Sequence, residues 1–470
     1  MRKRKKPLVV PNVLITGIAD KGKGVGRDEN GRVIFVENVA PGDVVDVLVQ
    51  KKKAEYLLGI PQQFHQYSTD RTDPFCRHYG ICGGCKWQHL QYEAQARHKE
   101  TIVKDALARI GKVAVEAFLP MRLATATTYY RNKLEFAFSN KRWLTKEELS
   151  QGLRKESGAL GFHRPGMFDK IVDIEHCWLQ PDPSNDIRNA ARAIATAQNL
   201  DFFDLKIQTG FLRHLLIRVA TTGEVMVILS VFQNDPAKIQ HFLDALLQQC
   251  PAITTLIYCI NPKVNDFLLD LEMHTWHGKG YIEEQLGHVR FKIGPKSFFQ
   301  TNTRQGKLLY DVAMEFADLQ GTENVYDLYT GVGSIALYAA KNCKQVVGIE
   351  EIESAIDDAR ENAQLNGISN AVFYAGDVKD MLTPAFVSQY AKPDVLITDP
   401  PRAGMHQKVV EILLALETPK IVYVSCNPAT QARDLSLLAE KYEVKKVQVV
   451  DMFPHTHHIE NVALLQLRER

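Results

Sequence analysis

The chain has 470 residues, 45% of them hydrophobic and 24% charged, with a formal net charge of +2. That composition is ordinary for a globular protein, and the length accommodates about three domains. No run of ~18 apolar residues is present, which excludes a helical membrane span, and eight cysteines are too few and too unevenly placed for a disulfide framework.

The opening MRKRKK could begin a secretion leader, but Pro7, Pro11 and Asn12 break the apolar stretch behind it. We read a basic arm on a cytoplasmic protein. Residues 1–60 carry 12 Lys and Arg against 7 Asp and Glu, clustered at Arg2–Lys6 and Lys51–Lys53. Such clusters attract phosphate backbones, although solvated chain ends look the same. Alternating runs at Val13–Ile18, Val33–Val39 and Val44–Val49 are separated by turns at Lys21–Gly26, Asn30-Gly31 and Pro41-Gly42-Asp43. This spacing predicts a small OB-like β-barrel over 1–60, of a kind that binds RNA on a basic face.

Residues 61–290 show a mixed pattern and are expected to form a central α+β domain. A helical stretch is predicted at Leu90–Ile110, and strands at Asn132–Phe138, Leu215–Val219 and Val225–Phe232. The polar segment Lys141–Ser157 reads as an insertion or loop. Three cysteines crowd together as Cys76-x5-Cys82-x2-Cys85, and Cys177 is the nearest fourth thiol. Four thiolates suit zinc or an iron–sulfur cluster. Zinc favours paired CxxC knuckles, so three ligands plus a distant fourth lean toward [4Fe–4S]. The radical-type CxxxCxxC spacing is absent, and a cluster ligated on all sides points to a structural or RNA-contacting role. Cys250, Cys259 and Cys343 read as core residues, and His78 and His89 as surface ones, with a ligand role as their alternative.

From 291 to 470 strands alternate mostly with helix-length segments, which predicts a doubly wound α/β sheet. The strands are Asn324–Tyr329, Gln345–Glu350, Ala371–Ala375, Asp394–Asp399, Ile421–Ser425, Lys446–Asp451 and Asn461–Leu467. The last two lie too close for a helix between them and are expected to form an antiparallel hairpin at one edge. The first strand runs into Gly331-x-Gly333 and an apolar helix start, a turn that lets backbone approach a ligand at a helix N-terminus. Glu350 ends the second strand, where a carboxylate can bind both ribose hydroxyls. Asp377 follows the third, placed to meet an adenine amino group. Ala336 stands where a dinucleotide fingerprint has its third glycine, so a ligand without a pyrophosphate fits better, with S-adenosylmethionine the best candidate.

Two further segments, Asp399-Pro400-Pro401-Arg402 and Ile421–Thr430, end neighbouring strands of this expected sheet. Open α/β sheets bind ligands at the carboxyl ends of their strands, so Asp399 and Cys426 should sit side by side there. Alone, Cys426 reads as a small core residue; beside a carboxylate at that edge it reads as a nucleophile.

Taken together, these residues resemble the RNA uracil-5-methyltransferase family, and in particular its iron–sulfur members acting on 23S ribosomal RNA. The resemblance rests on VENVAPGDVVDVLV in a TRAM-like barrel, CRHYGICGGC with Cys177, FFQTN at Phe298–Asn302, DLYTGVGS, DPPRAG, SCNPAT and FPHTHHIENVALL. It implies that Cys426 is the nucleophile and Glu460 the general base. Gln300, Tyr329, Ser334, Glu350, Asp377 and Asp399 would contact S-adenosylmethionine, and Cys76, Cys82, Cys85 and Cys177 would hold a [4Fe–4S] cluster. It also implies a monomer whose target uridine is flipped out or single-stranded. The Lys141–Ser157 segment matches none of the family motifs. A transfer-RNA uracil-5-methyltransferase, an amino-group methyltransferase using its Asp-Pro-Pro motif, and a non-catalytic iron–sulfur RNA-binding or ribosome assembly protein remain the alternatives.

Overall fold

The alternating runs near the N-terminus build a six-stranded sheet in the order Val9–Leu14, Val44–Lys52, Tyr56–Gln66, Val33–Val36, Gly24–Arg27, Gly17–Ile18. Its inward residues, Val13, Ile15, Ile34, Val36, Val45, Val47 and Leu57, form a core of their own. The long strand Tyr56–Gln66 carries Pro61 and runs past residue 60. The computed structural model describes residues 8–152 and 158–469; the basic cluster Arg2–Lys6 and the last residues of the polar segment, 153–157, lie outside them.

The predicted central helix is present as Tyr92–Asp105, followed by a wider turn over Ala106–Gly111. Behind it an eight-stranded sheet has the order His274–His277, Thr255–Ile260, Val225–Val231, Leu212–Val219, Lys133–Ser139, Ala159–Arg164, Met167–Asp173, Arg142–Trp143. The helices Ser184–Ala197 and Pro236–Gln249 bury Ile187, Ala191, Ile194, Ile239, Phe242 and Leu243 in the core it shares. The described part of the polar segment is ordered structure rather than a plain loop. Arg142–Trp143 adds in parallel to Met167–Asp173, and Thr145 with Glu148 caps the short helix Lys146–Ser150.

The C-terminal sheet has the order Ala371–Ala375, Gln345–Glu350, Asn324–Leu328, Val395–Thr398, Lys420–Ser425, Glu460–Leu467, Tyr442–Val450, Val115–Arg122. The first five strands are parallel. Tyr442–Val450 and Glu460–Leu467 pair antiparallel as expected. They are not the edge, however. Glu460–Leu467 lies between Lys420–Ser425 and Tyr442–Val450, and Val115–Arg122 extends the sheet beyond them, parallel to Tyr442–Val450. This outermost strand carries Pro120, a residue that edge positions tolerate. Apolar side chains cover both faces, chiefly Leu309, Val312 and Phe316 on one and Leu107, Val410, Leu413 and Leu435 on the other. No helix among the described residues is long and apolar enough to cross a membrane.

One buried ion pair ties the central helix to this sheet. Lys99 Nζ lies 2.7 Å from Asp451 Oδ1, with neither side chain exposed, and donates to the Phe453 carbonyl at 3.0 Å. Removing one partner strands the other charge in a low-dielectric interior, at a cost of about 3–5 kcal/mol. Lys99→Met should therefore lower the melting temperature markedly, and pairing it with Asp451→Leu should restore most of the loss. Equal melting of the single variant and the parent would show that the pair does not anchor the helix.

Candidate active site

Two loops at the carboxyl edge of the C-terminal sheet are laced together by backbone acceptors. Asn427 caps the helix Pro428–Leu438 through Ala429 N–H, and its Nδ2 donates to the Arg402 carbonyl at 2.9 Å. Thr430 Oγ1 donates to the same carbonyl at 3.2 Å. Gly404 closes the turn at φ 78°, where a Cβ would stand 2.6 Å from Arg433 Nη2 and 2.7 Å from Asp434 Oδ2. The turn accepts no other residue without moving a buried carboxylate.

This lacing brings Asp399, Arg402 and Cys426 together, and the strand that begins at Glu460 adds its carboxyl group. Cys426 is half-buried, and burial together with the charges of Glu460 and Asp399 pushes its thiol up to about 11, against the pull of the exposed Arg402. Burial and Asp399 raise Glu460 well above the usual carboxylate range, while Arg402 and Lys99 pull it down. Burial holds Asp399 at about 7. The cluster thus combines a thiol, two proton-holding carboxyls and one accessible cation. Titratable groups of shifted proton affinity gathered at one sheet edge mark a candidate catalytic site.

The adjoining pocket is acidic. Glu350 accepts from Gly331 N–H and Ile352 N–H, each at 3.1 Å, which braces the glycine turn. Gly333 sits at φ 78° with no room for a larger residue, since a Cβ would lie 3.0 Å from Ala359 Cβ. Tyr329, half-buried, takes φ 64°, a backbone state that costs a bulky side chain energy and recurs at functional sites. Ser334 Oγ meets the buried Tyr310 hydroxyl at 2.8 Å, and the Gln300 side chain bonds to the same hydroxyl. Asp377 caps the short helix Val378–Met381 and is engaged by Lys379, so its carboxylate must exchange partners to meet a ligand.

Sequence reasoning missed three supporting residues. Asp327 is buried, accepts from Ala336 N–H at 3.0 Å and from Thr330 Oγ1, and is pushed up to about 7 by burial. Tyr310 links Ser334 to Gln300. Lys99 faces Glu460 from a helix more than 300 residues upstream. The first could have been found from its place in the strand leading to the glycine turn; nothing local signals the other two.

The four cysteines expected to share a ligand lie near enough to feel one another's charge. Burial raises every one of these thiols, to about 11 for Cys82 and about 12 for Cys85, and for Cys82, Cys85 and Cys177 neighbouring thiolates of the set add to it. Gln88 ties the set together, with Cys76 N–H donating to its Oε1 at 3.2 Å and its side chain reaching Cys85. The thiols are free, and among the described residues no group of three or more His, Cys, Asp or Glu closes to metal-binding geometry. Cys250, Cys259 and Cys343 are buried as expected. His78 and His89 are buried too, contrary to the surface placement expected of them; His89 Nε2 lies 3.1 Å from the Val39 carbonyl. Of the histidines near the C-terminus, His455 contacts Gln95 and His458 lies 3.4 Å from Arg402.

Comparison with known proteins agrees with this geometry. The family described as tRNA (Uracil-5-)-methyltransferase matches residues 276–468, and the TRAM domain matches residues 10–61. The chain is 52% identical over 455 residues to an uncharacterized RNA methyltransferase of Bacteroides thetaiotaomicron, covering 96% of this chain and all of the relative. It is 39% identical over 476 residues to another from Chlorobaculum tepidum, covering 100% and 98%. Among solved structures, Pyrococcus abyssi tRNA (uracil-54, C5)-methyltransferase in complex with S-adenosyl-L-homocysteine superposes with a TM-score of 0.73 at 28% identity, over 96% of this chain and 99% of that one. The N-terminal sheet is accordingly a TRAM domain, and the C-terminal sheet has a methyltransferase fold.

The electrostatics of Cys426 are directly measurable. With its thiol raised to about 11, only a small fraction is thiolate at pH 7.5, so alkylation by iodoacetamide should run roughly 100-fold slower than at an exposed cysteine. The rate should keep rising as pH increases toward that value. Glu460→Gln should speed it and Arg402→Ala slow it, as read by mass spectrometry of the Cys426 peptide. A rate equal to that of free cysteine would contradict the charge arrangement.

Proposed function

This chain belongs to the RNA uracil-5-methyltransferase family, and on that premise we propose that it methylates uracil C5 in 23S ribosomal RNA through a covalent adduct between Cys426 and uracil C6. The observation that carries this reading is the Cys426 thiol at one sheet edge with two buried carboxyls, Asp399 raised to about 7 and Glu460 raised well above the usual carboxylate range. Uracil C5 is a poor nucleophile. Addition of the Cys426 thiolate at C6 moves the ring electrons toward the 4-carbonyl oxygen as an enolate, and C5 gains electron density. S-adenosylmethionine, when bound, supplies the electrophilic methyl group. After C5 is methylated, Glu460 in its carboxylate form, made a stronger base by its raised proton affinity, takes the C5 proton, the C5–C6 double bond reforms, and the Cys426 thiolate leaves. Arg402 favours the anionic thiolate and the developing enolate charge.

The acidic lining supports this cofactor. Glu350 on the glycine turn, Asp327 beneath it, and Asp377 and Asp399 on the neighbouring strand ends make this edge rich in carboxyl groups, complementary to a sulfonium and an ammonium group and poorly suited to a phosphate. Tyr329, Ser334 and Gln300 would complete the contacts. Burial raises Asp327 and Asp399 to about 7, and a cationic group beside them would favour their ionised forms.

Cys76, Cys82, Cys85 and Cys177 offer the donor chemistry of an iron–sulfur cluster: four thiols raised by burial that feel one another's charge, a repulsion that a bound cluster would relieve. A cluster there would supply a cross-link between the turn at Cys76–Cys85 and the segment at Cys177. Anaerobically purified protein should contain iron and acid-labile sulfide with a broad visible charge-transfer band, both diminished in Cys177→Ser. Zinc as the sole bound metal would overturn the cluster.

A transfer-RNA substrate is favoured by one observation, the likeness to the Pyrococcus abyssi enzyme over 96% of this chain. Transcripts of both RNA classes containing 5-fluorouridine decide between them, because fluorine at C5 cannot leave as a proton and the adduct is trapped. We expect a denaturation-resistant band with the ribosomal transcript, absent in Cys426→Ala. On ordinary uridine, Glu460→Gln should accumulate adduct and release product roughly 10²–10⁴-fold more slowly. An adduct with transfer RNA alone would reassign the substrate, and methyl transfer by Cys426→Ala would remove the covalent route.

A further inference from the structure

Five aromatic rings join the cysteine-bearing turns to the catalytic edge. Phe75 precedes Cys76, and His176 and Trp178 flank Cys177. Ring centroids lie 5.6 Å apart for Phe75–Trp178, 4.6 Å for His176–Trp178, 5.6 Å for Tyr129–Trp178 and 5.1 Å for Phe75–His455. A cluster serving only to fill the core would be covered, yet Phe75 is 42% and Tyr129 37% exposed.

Tyr129 is also held in a conformation it would not choose. Its φ is 52°, in the left-handed region, and it is fixed there by its N–H donating to the Trp178 carbonyl at 2.7 Å and its hydroxyl lying 3.0 Å from His176 Nε2. Strain that presents an aromatic face to solvent gains nothing for packing. The next two residues turn inward onto the catalytic loop. The Tyr130 hydroxyl donates to the Pro454 carbonyl at 2.9 Å, and the Arg131 guanidinium lies 5.0 Å above the Phe453 ring. The exposed rings are therefore continuous with the segment that leads into Glu460.

We propose that Phe75, Tyr129 and Trp178 form a stacking subsite for an unpaired nucleobase of the substrate RNA, next to the uridine that enters the Cys426 cleft. This rests on the RNA-methylation reading above. Extracting a uridine from its stack leaves its neighbours without partners, and aromatic faces replace that stacking with little dependence on base identity. Arg131 and Arg402 supply positive charge along the path between subsite and cleft.

The test uses the full-length protein and transcripts of ribosomal and transfer RNA substituted with 4-thiouridine. After irradiation, peptides containing Phe75, Tyr129 or Trp178 should carry cross-linked nucleotide. Tyr129→Leu keeps an apolar side chain but loses the flat face, and should weaken RNA binding roughly 5- to 150-fold with S-adenosylmethionine binding unchanged; Tyr129→Trp should bind RNA like the parent. Cross-links confined to other surfaces, together with parental affinity in Tyr129→Leu, would overturn the subsite while leaving the methylation reading intact if the 5-fluorouridine adduct still forms. No cross-link to either RNA would overturn the subsite and the RNA reading together.

Discussion

Lys99 and Asp451 meet, neither side chain exposed, where three parts of the chain converge, and the geometry of the candidate site depends on that contact. Asp451 follows the strand Tyr442–Val450, and the segment from Met452 to Ile459 leads from it to Glu460. That segment forms neither helix nor strand, so its backbone groups need partners from elsewhere. Gln95 bonds to the Trp87 and Leu90 carbonyls and accepts from His455 N–H at 2.8 Å. Lys86 and Trp87 N–H donate to the His455 carbonyl, and Asn302 Nδ2 to the Met452 carbonyl at 2.9 Å. Removing the ion pair would loosen the loop from its anchor and with it the carboxyl at the start of the next strand.

The same region accumulates groups that resist ionisation. Asp327, Asp399, Glu460 and Cys426 all hold their protons more tightly than free side chains do, because burial denies them solvent and each disfavours a second negative charge nearby. Stability gains nothing from this crowding above neutral pH. A folded-state carboxyl raised from its unfolded value contributes stability that is present at low pH and lost as pH rises through the raised value. Such crowding, like the backbone strain at Tyr329, is typical of functional sites, where stability is traded for chemistry.

The C-terminal strands were legible because parallel strands buried on both faces leave β-branched runs such as Val346–Ile349 and Ile421–Val424, separated by helix-length segments. Three strands of the central sheet, Lys133–Ser139, Leu212–Val219 and Val225–Val231, were also expected at nearly these bounds, but the order of that sheet was not legible. Leu212–Val219 starts three residues before the apolar run shows it, because Arg213 and His214 are buried there and Arg213 is held by backbone carbonyls rather than by an apolar pattern. Val115–Arg122 was missed as well, since its partner strand lies more than 300 residues away and only that pairing makes it part of the sheet.

The sequence by itself determined the motif-bearing turns, because glycine conformations, caps and strand ends are local consequences of residue type: Gly331-x-Gly333, Asp399–Arg402 and Cys426–Thr430 were all expected at strand termini. It also marked the cysteines that feel one another's charge. Only the tertiary structure decided what surrounds each reactive group. The proton affinities of Cys426 and Glu460 follow from burial and from Asp399, Arg402 and Lys99 approaching across strands and helices, and long-range electrostatics in a low-dielectric interior has no signature along the chain.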